Sequence, residues 1–161
     1  MNKEYEYSFK VKEIEEFINY CKDNDYVLED EYEQVRKLYK NGGKIMGRIT
    51  KNSYKNHSVE ILNFKDDNLN DSVLKESRES LDLVIDDSNR EFVQSLLDIL
   101  DLPETKVLIR KRFVYTKNNV KFELDNYIEP KMNVVAIEGL KEEVDVVYND
   151  LKQIIENNKI D

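Results

Sequence analysis

Apolar and charged residues alternate without a break in Lys3–Val11: Tyr5, Tyr7, Phe9 and Val11 fall on one face, Glu4, Glu6, Ser8 and Lys10 on the other. A period of two is that of a β-strand with one face turned to a polar environment. From Lys12 to Asn24 the period changes, and Ile14, Phe17, Ile18 and Cys21 stand at the offsets of an amphipathic helix. Strand patterns return over Tyr26–Tyr39, Lys44–Thr50 and Ser58–Lys65. Asn41-Gly42-Gly43 reads as the hairpin turn between the first two, since glycine accepts a positive φ at little cost. In Lys44–Thr50, Met46, Arg48 and Thr50 share a face, and Lys65 is in phase with Ile61 and Asn63.

The polar run Asp66–Asp71 predicts a loop, and Ser72–Ile85 a strand with Arg78, Ser80 and Asp82 opposite Leu81, Leu83 and Ile85. Asp86-Asp87-Ser88 offers N-caps to a helix over Asn89–Leu100, whose apolar stripe is Phe92, Val93, Leu96, Leu97 and Leu100, with Pro103 just beyond. Lys106–Thr116 and Val120–Tyr127 form a hairpin through Lys117-Asn118-Asn119. Val107 and Ile109 alternate with Arg110 and Arg112 in its first arm, and Glu123 and Asp125 oppose Val120, Phe122 and Leu124 in its second. Val134–Glu138 is a last strand, and Lys141–Asn157 a last amphipathic helix. There is no repeat and no linker, so one domain over 1–161 is expected.

Composition narrows the function classes. With 34 acidic against 25 basic residues the net charge is −9, which argues against a broad footprint on double-stranded nucleic acid but leaves room for an anion in a locally basic pocket. The single cysteine, Cys21, lies on the apolar side of its helix and reads as a buried thiol in a reducing, cytoplasmic protein. No apolar run approaches the roughly 18 residues that span a bilayer, so no membrane partner is expected. His57, the sole histidine, falls in a polar run and is assigned no role.

About eight antiparallel strands and three helices leave two kinds of strand face to place. The apolar faces pack under the helices. The charged faces either lie in solvent on an open sheet or curl inward around a polar lumen, which removes sheet edges. Pattern alone leaves both open: Glu4 and Glu6 suit a solvated strand, and Arg110 and Arg112 suit cross-strand ion pairs with Glu123 or Asp125.

Several fragments in order resemble the CYTH superfamily, the triphosphate tunnel metalloenzymes that include class IV adenylate cyclases and thiamine triphosphatases. Glu4-x-Glu6 resembles the opening Glu-x-Glu-x-Lys, and Asp30-x-Tyr32 is similar to a second-strand Asp-x-Tyr. Arg48-Ile49 and Asn63-Phe64-Lys65 resemble the Leu-Arg-Ile-Arg and Leu-Thr-Leu-Lys strands. Arg110-x-Arg112, Glu123-Leu124-Asp125 and Ile137-Glu138 resemble the paired bases, the Leu-Asp strand and the closing Glu-Ile-Glu. The resemblance implies an α+β fold, a closed antiparallel β-barrel of about eight strands around a polar tunnel, with amphipathic helices packed outside.

It also implies roles. Glu4 and Glu6 would be catalytic and, with Asp125 and Glu138, would hold Mg²⁺ or Mn²⁺, hard cations that prefer carboxylate oxygen. Arg48, Lys65, Arg110 and Arg112, with Lys10 and Arg78 beside them, would bind the substrate phosphates. The implied partner is a triphosphate-bearing small molecule, with a homodimer as an open alternative. The implied activity is triphosphate hydrolysis, with cyclase chemistry or a catalytically silent binding module as alternatives. Four positions depart from the signatures: Ser8 for lysine, Thr50 for the second arginine, Ser80 for a glutamate and Ala136 for the first glutamate of Glu-Ile-Glu.

Overall fold

The computed structural model describes residues 2–68 and 74–160. Of the predicted Asp66–Asp71 loop, residues 66–68 instead continue the strand that begins at Ser58, and residues 69–71, with the first two of the predicted Ser72–Ile85 strand, lie outside the described residues. The strands are β1 (Asn2–Val11), β2 (Val27–Tyr39), β3 (Ile45–Ser53), β4 (Ser58–Asn68), β5 (Leu74–Glu79), β6 (Leu83–Val84), β7 (Glu104–Lys117), β8 (Val120–Glu129) and β9 (Met132–Gly139). The helices are α1 (Glu15–Asp23), α2 (Arg90–Ile99), α3 (Lys141–Asp150) and α4 (Lys152–Asn158).

The charged faces curl inward. The sheet runs β3-β2-β7-β8-β9-β1-β5-β4, antiparallel throughout, and β4 pairs again with β3, closing an eight-stranded barrel with the helices outside. Closure leaves no long unpaired edge. The two-residue strand β6 pairs Val84 and Leu83 with Ile61 and Leu62 of β4, on the side of β4 that β5 occupies further along.

Two apolar layers lie between barrel and helices. In the larger, α1, α3 and α4 cover β1, β8, β9 and the end of β7, with Phe17, Cys21, Phe122, Leu124, Ile137, Val144 and Leu151 fully buried. Burial pushes the Cys21 thiol up to about 12, so it is a core residue with little thiolate, as its position in the helical stripe implies. In the smaller, Val93 and Leu97 of α2 lie on Ile49 of β3 and Leu62 of β4. The helix sits close because Gly47 carries no side chain: a Cβ there would meet Leu97 Cδ2 at 3.0 Å. Among the described residues no helix is long and apolar enough to cross a membrane.

Two further predicted elements are corrected. The Ser72–Ile85 strand ends at Glu79 and resumes only as β6, because Phe64 N donates to Ser80 Oγ and Ser80 N donates to Phe64 O, which turns the chain. The break changes the phase, so Glu79 faces inward and Arg78 outward, the reverse of the expected assignment. The final helix divides at Leu151 into α3 and α4.

Candidate functional site

The lumen is a cavity of about 490 Å³ lined by the inward positions of every long strand. Its charges are sorted by strand. Adjacent strands β3, β2 and β7 contribute Arg48, Arg36, Arg110 and Arg112, while adjacent strands β8, β9 and β1 contribute Glu123, Asp125, Glu138, Glu4 and Glu6, with the cation Lys121 of β8 among these acids. Lys65 of β4 and Glu79 of β5 close the circle between them.

The basic wall is largely held from within. Arg112 donates from Nε and Nη2 to the two oxygens of Asp125 at 2.7 and 2.9 Å and from Nη1 to Glu123 Oε2 at 2.8 Å. Arg110 Nη1 lies 3.3 Å from Asp125 Oδ2 and also donates to the Tyr127 hydroxyl, while Nε donates to Gln34 Oε1 at 2.7 Å. Its Nη2 is buried with no hydrogen-bond partner among the described residues. Arg48 donates to Asn63 Oδ1 and Glu79 Oε1, each at 2.9 Å, and Lys65 Nζ stands 3.9 Å from the same Glu79 oxygen. Arg36 donates from Nε to Thr50 Oγ1 at 3.0 Å and has no carboxylate in ion-pair contact among the described residues. Burial and the nearby Arg48, Arg110 and Arg112 pull its pKa down to about 9, leaving it charged at neutral pH.

On the acidic wall Glu6, Glu123 and Glu138 bring one carboxylate oxygen each within 4.8 Å of the others. Burial, then the Glu123 charge, pushes Glu138 well above the ordinary carboxylate range. Burial pushes Glu123 the same way, but Arg112, the hydrogen bond from Glu138 and Lys121 hold it far below. Of the two, Glu138 is therefore the one that holds a proton more tightly, hydrogen-bonded to ionised Glu123. Lys121 Nζ lies 3.5 Å from Glu138 Oε2; burial lowers its pKa, and Glu123, Glu138 and Glu4 raise it by more. Burial and then Glu79 raise the pKa of Glu4. Three converging carboxylates, two of them sharing a proton a cation would displace, fit a hard divalent ion.

Of the residues singled out from sequence, Glu4, Glu6, Arg48, Lys65, Arg110, Arg112, Asp125 and Glu138 all line the lumen. Lys10 is exposed, one strand repeat past Ser8 and outside the lining. Arg78 is on the outer surface, ion-paired to Asp66. The carboxylate triad has Glu123 where the expected cage has Glu4 and Asp125, and Asp125 is instead the acceptor of the arginine pair. Arg36, Lys121 and Glu79 were not singled out, although Arg36 is in phase with Tyr32 and Lys121 with Asp125. His57 is an exposed loop residue stacked on Tyr54.

Neither a family model nor a curated protein sequence matches the chain. Solved structures do. The PH1012 protein of Pyrococcus horikoshii superposes with a TM-score of 0.74 at 20% identity, over 92% of this chain and 88% of that one. HpAC1 of Hippeastrum, described as an adenylyl cyclase candidate with a dominant triphosphatase activity, gives 0.65 at 14% identity over 98% and 90%. The likeness is one of fold. A chain of the Schizosaccharomyces pombe Mediator head module shares it too, at a TM-score of 0.62 and 9% identity over 98% of both chains. The barrel fold is thus shared with these proteins, and what this chain does with it rests on its own lumen.

Proposed function

We propose that the protein binds a triphosphate, inorganic or organic, in its lumen with Mg²⁺ or Mn²⁺ and hydrolyses it. The observation that carries this reading is the sorting of charge: a wall of guanidinium groups faces a wall of carboxylates across a cavity of about 490 Å³. A polyphosphate chain needs cations on its oxygens, and guanidinium groups can bind them bidentately. Arg110 Nη2, buried without an acceptor among the described residues, is a donor in want of such an oxygen.

The metal would be held by Glu6, Glu123 and Glu138, where it would neutralise phosphate charge and lower the pKa of a bound water. The other roles belong to the chain. Arg48, Lys65, Arg110 and Arg112 orient the phosphates, and Asp125 and Glu79 hold those cations in place beforehand, which is how positioning and pre-set charge accelerate phosphoryl transfer. Glu4 stands beside the triad with a raised pKa, suited to receiving a proton from an attacking water. Water attacks the terminal phosphorus and passes a proton to Glu4, its oxygen forms the new P–O bond, the bond from that phosphorus to the bridging oxygen breaks with its electron pair going to the departing diphosphate, and orthophosphate and the diphosphate are released. The setting consistent with the buried free thiol is cytoplasmic.

Phosphorus NMR of the protein in Mg²⁺ buffer with tripolyphosphate, and in parallel with ATP, tests the proposal. Orthophosphate growth is the expected result; an unchanged spectrum overturns it. Pyrophosphate with a cyclic nucleotide would instead mark a cyclase. Ser8, Thr50, Ser80 and Ala136, which stand where the resembled signatures carry charge, favour as a second reading a binding module without turnover, which would shift or broaden resonances and yield no product.

A further inference from the structure

Arg48 is held by Glu79, and Arg110 and Arg112 are held by Asp125 and Glu123. Arg36 alone among the lumen's four guanidiniums contacts only a hydroxyl, Thr50 Oγ1, among the described residues. Arg36 is half-buried where the other three are buried, and Glu123 and Glu79 act on it only from beyond ion-pair distance, so its guanidinium is the one that can take a contacting anion without first releasing a carboxylate. We propose that Arg36 is the anion-capturing residue of the lumen, the one that gains a contacting counter-ion when a phosphate group enters. The inference rests on the triphosphate reading above and names the residue that supplies most of the affinity and the preference for highly charged phosphates.

The surroundings say why one residue should dominate. Arg48, Arg110 and Arg112 each have to divide a guanidinium between a resident carboxylate and the ligand, so their gain on binding is partial. Arg36 gives up no ion pair. Its pKa, depressed by burial and by those same three neighbours, records the repulsion that a bound phosphate would relieve. The side chain is placed by the ladder: Arg36 and Thr50 are direct cross-strand partners of β2 and β3, and both line the cavity. A guanidinium rooted at position 50 would therefore emerge at the same part of the lumen as one rooted at position 36.

This gives the role an unusual signature, because removing Arg36 should weaken binding while leaving the empty protein no less stable. The experiment is isothermal titration of tripolyphosphate, with EDTA present and low salt, together with thermal melts of the same samples, for the wild type, Arg36→Gln and the exchange Arg36→Thr/Thr50→Arg. The wild type is expected to bind without metal and to melt higher with ligand. Arg36→Gln is expected to lose about tenfold or more in affinity, the scale of a charge-assisted contact to phosphate, and to melt without ligand no lower than the wild type. The exchange is expected to regain affinity.

A wild type that binds and an Arg36→Gln variant that binds equally well overturn the inference and leave the triphosphate reading standing. A variant that loses both affinity and stability is decided by the exchange: recovered binding upholds the inference, and unrecovered binding overturns it. A wild type that binds no tripolyphosphate, with or without Mg²⁺, overturns both.

Discussion

Glu138 concentrates the chemistry of the acidic wall in one side chain. Its pKa is raised by burial and by Glu123, so the folded protein holds a proton there that the unfolded chain releases near the ordinary carboxylate pKa of about 4. The stabilisation linked to that proton is fully present below the unfolded pKa and is lost as pH rises through the raised folded value. Glu138→Gln keeps a neutral donor toward Glu123 and should flatten this fall, seen as melting temperatures that decline less between pH 5 and 8, a window set by the upward shift, than those of the wild type. The same proton competes with a cation. Mg²⁺ affinity of the wild type should therefore rise with pH over that window, and Glu138→Gln should weaken it by about tenfold or more. Titration of Mg²⁺ against a thermal-shift signal at pH 5 and pH 8 checks both, and a pH-independent affinity would remove Glu138 from the cage.

At the scale of strands, most of the lumen was legible because alternation fixes which residues share a face. The inward direction of Glu4, Glu6, Arg48, Lys65, Arg110, Arg112, Asp125 and Glu138 follows from strand phase once the barrel closes. What phase cannot give is the neighbour across the ladder, and that neighbour explains the roles of Arg36, Glu123 and Lys121. Arg36 lies opposite Thr50, where the resembled signature has an arginine; Glu123 lies opposite Ala136, where it has a glutamate; Lys121 lies opposite Glu138. Ser8 and Ala136 also face each other, so the lysine and glutamate expected there are absent as a pair. Arg78 and Glu79 were exchanged for a different reason: the apolar pattern of Leu81, Leu83 and Ile85 set the phase, and the chain turns at Ser80 before reaching it.

Two predictions belong to this scale. If Glu123 serves the position that Ala136 leaves empty, Glu123→Ala should abolish Mg²⁺-induced thermal stabilisation, and adding Ala136→Glu should restore it in part. Persistence of the shift in Glu123→Ala would place the cation elsewhere. Gly139, which follows Glu138 at φ 155°, has Asn119 O where a Cβ would lie 2.6 Å away. Gly139→Ala must push the end of β9 off the β7–β8 turn, with an expected loss of about 1–3 kcal/mol by chemical denaturation. A loss within a few tenths of a kcal/mol would mean the turn yields freely.

For the whole molecule, a closed barrel turns two charged walls into one coupled system. Free of ligand, the two walls neutralise each other, with Arg112 bridging from β7 to Glu123 and Asp125 of β8, while Lys121 of β8 stands within the acidic wall beside Glu138. A cation at the triad draws Glu123 toward itself and weakens its hold on Arg112, which leaves that guanidinium freer for phosphate. A phosphate on the basic wall has the converse effect on the acids. Metal and triphosphate should therefore each tighten the other, and by the same factor, because coupling between two sites is reciprocal. A coupling of about 5- to 150-fold is the usual range. Calorimetry closes the cycle: tripolyphosphate affinity with and without Mg²⁺, and Mg²⁺ affinity with and without tripolyphosphate, in each case corrected for the Mg²⁺–tripolyphosphate complex that forms in solution. Arg112→Lys cannot bridge both carboxylates as a planar guanidinium does and should reduce the factor more than it reduces either affinity alone. A factor of one in the wild type would mean that the two walls act independently, and that the ion pairs joining them serve the stability of the barrel only.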